Sequence, residues 1–200
     1  MMMIKKAEFV VSNTDPAKCP ATEKPEFAFV GRSNVGKSSL INMLTNFNDL
    51  AKVSGAPGKT RLINHFNIND EWFLVDLPGY GFAKALRSSR EKWLSFIKKY
   101  LTIRRNLFCV FALIDSRHEP QALDLEFMNW MGQNGVPFAM VFTKTDKLSR
   151  KQLEKNLATY KAEMLKTWEE LPTLFVTSAE TKQGRDEVLG FIVNVIQSTH

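Results

Sequence analysis

Cysteine is scarce in this chain. There are two in 200 residues, Cys19 and Cys109, 90 positions apart, with no CxxC pair and no Cys/His cluster. That excludes a disulfide-stapled scaffold and argues against zinc, and it points to a reducing compartment. Long apolar runs are also missing. The longest are about eight or nine residues, as at 107–114, far short of the roughly 20 a membrane helix needs. The start, MMMIKKAEFVV, has no long apolar h-region and no small-residue cleavage site, so no secretion signal is read and a cytoplasmic location without a membrane partner is expected. No internal repeat and no linker-like stretch divides the chain.

What remains is ordinary for a globular protein: 44% apolar and 24% charged residues. A length of 200 predicts one domain over 1–200, with 1–24 as an N-terminal extension carrying at most one short strand. The net charge is 27 − 21 = +6, unevenly spread. Residues 84–105 hold eight bases (Lys84, Arg87, Arg90, Lys92, Lys98, Lys99, Arg104, Arg105) against Glu91, a net +7. Residues 144–166 hold seven bases against three acids, leaving −5 elsewhere. A local basic surface suits a polyanion such as nucleic acid; a solvated helix face is the plainer reading.

Five short, nearly continuous apolar runs, at 27–30, 72–75, 107–114, 138–142 and 174–176, read as strands buried on both faces. Helical patterns lie at 38–46, 88–101, 120–131 (opening with Pro120), 149–168 (with Ser149 as cap) and 185–196. This alternation predicts an α/β fold, a mostly parallel central sheet with helices on both faces. Residues 62–69 join Trp72 through Asn69-Asp70-Glu71, which reads as a hairpin and places one antiparallel strand at an edge. A further short strand at 8–12 is compatible with the pattern, and 13–25 reads as a loop.

In open parallel sheets ligands bind at the carboxyl ends of the strands. The five runs are followed there by Gly31-Arg32-Ser33-Asn34-Val35-Gly36-Lys37-Ser38, Asp76-Leu77-Pro78-Gly79, Asp115, Thr143-Lys144-Thr145-Asp146 and Thr177-Ser178-Ala179. The first fits the P-loop pattern between a strand and a helix. Its glycines let backbone N–H groups curl around phosphate, Lys37 reaches the β- and γ-phosphates, and the Ser38 hydroxyl ligates Mg²⁺, with Ser39 following. Asp76 at a strand end holds Mg²⁺ through water, and Gly79 lets an N–H approach the γ-phosphate. Asp146 supplies the base preference. A carboxylate accepts from the N1–H and 2-amino groups of guanine, whereas adenine would leave it desolvated and unpaired. The Lys144 stem lies over the purine, Thr143 ties its loop to the P-loop, and Ser178 and Ala179 present N–H groups to the guanine O6.

This ordered set resembles the signature of the translation-factor-type (TrmE/Era/EngA-like) P-loop GTPases. GRSNVGKSSLIN at 31–42, PGKTRLINHF at 57–66, and LVDLPGYGFA at 74–83 with LIDSRH at 113–118 narrow the likeness. Together they closely resemble the EngB (YihA/YsxC) family of small bacterial GTPases over nearly the whole chain, with no departure in the nucleotide motifs. The resemblance implies a three-layer P-loop GTPase fold that binds GTP or GDP with Mg²⁺. It also implies a role in large ribosomal subunit assembly, a link to normal cell division and septation, and a monomer. It makes Thr60 the switch threonine, a Mg²⁺ ligand beside Ser38 and Asp76, with Gly58, Lys59, Arg61 and Leu62 in the same segment. Residues 47–61 are then expected to be mobile without nucleotide.

Ras-type enzymes orient the attacking water with a Gln directly after the Asp-x-x-Gly motif. Here that residue is Tyr80, a poor substitute, and its ring is expected to point away from the phosphate, so intrinsic turnover should be slow. Asn34 resembles the P-loop asparagine that holds K⁺ in potassium-activated relatives, where the cation does the work of an arginine finger. The expected catalytic set is thus Lys37, Thr60, Gly79 and Asn34. Arg61, Arg117 and His118 lie near the rim, an in-cis arginine finger being the alternative there; Asp115 reads equally as a helix cap, and His65 and His200 show no partner and are given no chemistry. The leading function is a GTP-hydrolysing switch on a ribosomal precursor or rRNA, with the basic stretch at 84–105 as the contact. A signalling GTPase with a protein effector shares every nucleotide residue. A GTP-binding module without turnover and a metabolic P-loop kinase are the remaining alternatives.

Overall fold

A computed structural model describes residues 3–51, 62–80 and 87–198, with the side chains of 87–90 and 93 left aside. The strands are β1 (Ala7–Asn13), β2 (Glu26–Gly31), β3 (Ile63–Ile68), β4 (Trp72–Asp76), β5 (Leu107–Asp115), β6 (Phe138–Thr143) and β7 (Leu174–Val176). The helices are α1 (Lys37–Thr45), α2 (Arg87–Ile103), α3 (Ala122–Gln133), α4 (Arg150–Met164) and α5 (Arg185–Gln197). The strands form one seven-stranded sheet in the order β1-β3-β4-β2-β5-β6-β7. From β4 to β7 every pairing is parallel; β3 alone runs against the others.

The apolar runs are continuous because both faces of the sheet are covered. Alternate residues of β2, β4, β5 and β6 (Val30, Val75, Val110, Met140) pack with Ile97 of α2, Phe127 of α3 and Tyr160 of α4. Their neighbours (Phe29, Leu74, Phe111, Val141) pack with Leu40 of α1 and Ile192 of α5. The β3–β4 hairpin turns on Asn69 and Asp70, both at positive φ (51° and 60°), with Glu71 N–H donating to Ile68 O at 2.9 Å. That is the primed geometry whose twist matches the strands it joins.

Three expectations change. The antiparallel strand β3 is not at the edge, because the short N-terminal strand β1 pairs outside it. Asn69 makes this favourable: its Oδ1 accepts from the Lys5 and Lys6 N–H groups, and its Nδ2 donates to Met3 O. α4 stops at Met164 rather than 168. Trp168 instead turns back, its indole N–H donating to Asn129 Oδ1 at 2.6 Å and its ring standing edge-on to Phe138. His65 does have a neighbour, since its Nε2 lies 3.3 Å from Glu26 Oε1. Neither ring nitrogen of His65 has a partner in hydrogen-bond geometry among the described residues.

Other expectations hold. Ser149 caps α4, accepting from Gln152 N–H. Cys109 and Cys19 are both free and buried, and burial pushes their thiols up to about 12 and about 11. Gly58, Lys59, Thr60 and Arg61, as well as Lys84 and His200, lie outside the described residues, as do the side chains of Arg87, Arg90 and Trp93. Of the stretch expected to be mobile, 47–51 is described, and Ala51 is held by a reciprocal pair of bonds with the Asn42 amide.

Candidate functional site

The parallel strands place their carboxyl ends on one rim, and the motif residues collect there. β2 ends at Gly31, where a Cβ would meet Leu113 Cβ, Leu113 O and Val35 Cγ1, all at 3.0 Å; only glycine lets the chain pass this close to β5. The loop from Arg32 to Gly36 then turns into α1. Asn34 and Gly36 take positive φ (66° and 98°), and Val35 anchors the loop in the core. Lys37, Ser38 and Ser39 open the helix, where first-turn N–H groups have no intrahelical acceptor and the dipole favours an anion. A concave backbone ending on a helix N-terminus can hold a phosphate chain.

Asp76 ends β4 beside this loop. Lys37 Nζ pairs with Asp76 Oδ1, both side chains being 13% exposed, and Asn64 Nδ2 of β3 reaches Asp76 Oδ2 at 3.4 Å. Leu77 is buried and donates to Phe29 O at 3.0 Å, so the chain past Asp76 still runs along β2. Pro78 follows. A Cβ on Gly79 would stand 3.3 Å from Gly31 O and from the Ser33 backbone. Tyr80 does turn its ring away from the loop into the core beside α3.

The third cluster comes from β6 and β7. Thr143 Oγ1 donates to Val35 O at 2.6 Å, which ties this loop to the phosphate loop. Lys144 sits at φ 60°, and its ammonium donates to Asn34 O at 2.5 Å and to Asp115 Oδ2 at 2.9 Å. Its stem lies over Gly36, with Lys144 Cε 3.5 Å from where a Cβ would be. Thr145 is buried, its hydroxyl between Thr177 O (3.0 Å) and Gln183 Oε1 (3.2 Å). Asp146 Oδ1 accepts from the Ser178 hydroxyl at 2.7 Å, and its Oδ2 pairs with Lys147. These bonds hold its carboxyl below the usual carboxylate range, the Ser178 hydroxyl foremost. Ser178 N–H already donates to Gln183 O at 3.2 Å, so of the two residues expected to offer an N–H, Ala179 is the one not so engaged. Thr177 is fixed by its hydroxyl on Phe142 O at 2.8 Å. Leu62 is half-buried just before β3.

Asp115 was legible only as an acid at a strand end, and the structure gives it a task. Burial would push its carboxyl up, but hydrogen bonds from Arg117 and Lys144 outweigh it and hold the group at about 2. It is therefore an anion at neutral pH that fixes the Lys144 ammonium. Arg117 forks onto it at 2.9 and 2.8 Å, while His118 remains outside at 3.9 Å. Asn64 and Gln183, which support Asp76 and Thr145, carry no motif signal and were missed. A cavity of about 180 Å³ lies beside the P-loop, between Asn34, Lys144 and Asp115 on one side and the start of α3 on the other.

Comparison with known proteins agrees with the fold. The family model of 50S ribosome-binding GTPases matches residues 26–144. The chain is 58% identical to a probable GTP-binding protein EngB of Porphyromonas gingivalis over 196 residues, 98% of each chain. It is 54% identical to that of Christiangramia forsetii over 197 residues, 98% of this chain and all of the other. Among solved structures, a probable GTP-binding protein engB aligns with a TM-score of 0.66 at 24% identity, over 86% of this chain and 99% of that one. Era in complex with MgGDPNP and nucleotides 1506–1542 of 16S ribosomal RNA aligns at 0.65 and 26% identity, over 86% of this chain and 56% of that one. No helix among the described residues is long and apolar enough to cross a membrane.

Proposed function

The chain belongs to the EngB family of GTP-binding proteins, and from that premise we propose that it is a Mg²⁺-dependent, slowly turning over switch GTPase acting on a large ribosomal subunit precursor. One observation carries the nucleotide part. Thr143 and Lys144 bond to P-loop carbonyls at 2.6 and 2.5 Å, so the base-reading and phosphate-reading loops form one rigid unit. Asp146 reads guanine through N1–H and the 2-amino group. The Lys144 stem covers the purine, and the N–H groups between Asn34 and Ser39 cradle the phosphates, except that of Val35, which donates to Arg32 O at 3.1 Å.

In the Lys37–Asp76 pair the carboxyl group faces the P-loop from a sheltered place. With the Ser38 hydroxyl it would offer hard oxygen donors, which suit Mg²⁺, and by the family resemblance Thr60, outside the described residues, would add another. Bound there, the ion would offset charge on the β- and γ-phosphates. Lys37 then moves from Asp76 to the phosphates. Water adds to the γ-phosphorus as the bond to the β-γ bridging oxygen breaks, giving GDP and phosphate. Tyr80 does not orient that water, which accounts for slow intrinsic turnover. Asn34, in the P-loop, would help hold K⁺ beside the phosphates.

The ribosomal part rests on charge and kinship. Lys92, Lys99 and Arg105 are exposed on or just after α2, and Lys98 lies over Trp130 at 4.8 Å. Arg104 does not join this surface, because it is bonded inside to Glu26. Era, a fold neighbour, is captured with ribosomal RNA, which supports the same class of partner here. The chain would act as one cytoplasmic, monomeric G domain whose loss disturbs division and septation through ribosome supply. The test is GTP hydrolysis in K⁺ and in Na⁺, each with and without large-subunit particles, with Lys37→Ala as blank. Stimulation by particles, lost in high salt and on charge reversal at Lys98, is expected. Equal rates with and without particles refute the ribosomal reading, and equal rates in both salts refute the role of K⁺.

A further inference from the structure

Tyr80 stands where Ras-type enzymes carry their water-orienting glutamine, and its surroundings show what it does instead. Its backbone is zipped onto the P-loop. Tyr80 N–H donates to Gly31 O at 2.9 Å, and Ser33 N–H donates to Tyr80 O at 2.9 Å, a parallel bridge that prolongs β4 beside β2. Gly79 is thereby pressed against Gly31 and Ser33, at the loop that would hold the terminal phosphates. The side chain points the other way. The ring packs on Phe127 at a centroid distance of 5.2 Å, and the hydroxyl donates to Asp124 Oδ1 at 2.8 Å. Both residues are 4% exposed.

Asp124 lies in the first turn of α3, where an acid usually faces solvent and the helix dipole. Here it is turned inward. Burial pushes its carboxyl up to about 6, with the Tyr80 hydroxyl pulling down. Arg32 of the P-loop and His118 of the β5–α3 loop also act on it, and Tyr160 of α4 is near. A carboxyl in either protonation state accepts from a phenol, so the bond persists across neutral pH. A buried phenol–carboxyl pair of this kind is costly to break, because each half is left desolvated.

We propose that Asp124 is a positioning residue: by anchoring the Tyr80 hydroxyl to α3 it holds Gly79 against the P-loop, and so sets recognition of the γ-phosphate and the rate of its hydrolysis. The proposal rests on the switch-GTPase reading. It assigns α3, which carries none of the sequence motifs, a direct mechanical connection to the nucleotide state.

The experiment compares wild type with Asp124→Leu, Tyr80→Phe and the conservative Asp124→Asn, whose amide oxygen still accepts from the phenol. Affinities for GDP and for a non-hydrolysable GTP analogue, single-turnover hydrolysis and melting temperature are measured at a temperature where all variants are folded. Asp124→Leu and Tyr80→Phe are expected to weaken analogue binding and slow hydrolysis about tenfold, while GDP affinity changes less than about twofold; Asp124→Asn is expected to restore both to within about threefold. A role in folding alone would lower the melting temperature but leave the analogue-to-GDP ratio at the wild-type value in every variant, and that result overturns the proposal. Tighter analogue binding in Asp124→Leu would overturn it as well, since the anchor would then oppose the GTP state. Loss of the switch reading shows differently: wild type itself would not distinguish the analogue from GDP, and the positioning role would fall with it.

Discussion

Removing Arg104 should expose how much of this fold hangs on one buried carboxylate. Glu26 opens β2 with no solvent exposure. It accepts from Tyr100 OH at 2.6 Å, from Arg104 Nε at 3.0 Å and from Arg104 Nη2, with His65 Nε2 3.3 Å away. Arg104 also donates to Pro20 O at 2.9 Å, fastening the loop before β2. Burial alone would raise the Glu26 carboxyl; the close approach of His65 and the bonds from Arg104 and Tyr100 win and hold it at about 2, against an ordinary 4.5. A difference of roughly 2.5 pH units corresponds to about 3 kcal/mol of stability at neutral pH. That figure belongs to the whole surroundings of the carboxyl; breaking a buried pair by deleting one partner costs about 3–5 kcal/mol by mutational experience, the same order. Arg104→Met should therefore lose about 3 kcal/mol at pH 7, or about 6–12 °C in melting temperature for a chain of this size. The folded-state carboxyl is depressed, so its contribution is present above the unfolded value and disappears as pH falls from about 5 towards 2. Urea titrations followed by circular dichroism at several pH values should thus show the gap between wild type and Arg104→Met narrowing in acid. Glu26→Leu combined with Arg104→Met should recover part of the loss, because no ion is then left buried alone. A loss below about 1 kcal/mol at pH 7, or a gap constant from pH 7 to pH 3, would refute the reasoning.

The remaining predictions concern the rim. Thr143→Val keeps the shape but deletes the donor to Val35 O and Ile114 O, and should cost about 1–2 kcal/mol while speeding release of a fluorescent GDP; unchanged release would mean the two loops are not mechanically joined. At Gly184, φ is 77° and a Cβ would fall 2.4 Å from Val176 O, so Gly184→Ala should destabilise by more than about 2 kcal/mol in a melting experiment. Asp146→Asn replaces a double acceptor with an amide, and competition binding should show GTP weakened by roughly a hundredfold or more with xanthosine triphosphate gaining.

Much of this was readable locally. The P-loop pattern, the motif order and the strand-and-helix alternation depend on residues a few positions apart, where backbone geometry and periodicity act. Asn69-Asp70 announced its hairpin, and Ser149 its cap, for the same reason. Only the tertiary structure could bring Glu26 to Arg104, Lys144 to Asp115, or Tyr80 to Asp124, because each pair spans 29 to 78 positions and depends on strand register and on which helix face turns inward. That folding also removed Arg104 from a basic stretch that charge counting placed wholly at the surface, and it moved β3 inward by adding β1 outside it. The sequence by itself determined which chemistry stands at the ends of the strands. The tertiary structure decided how the loops are held there, because burial turns scattered polar residues into partners that cannot be left unpaired.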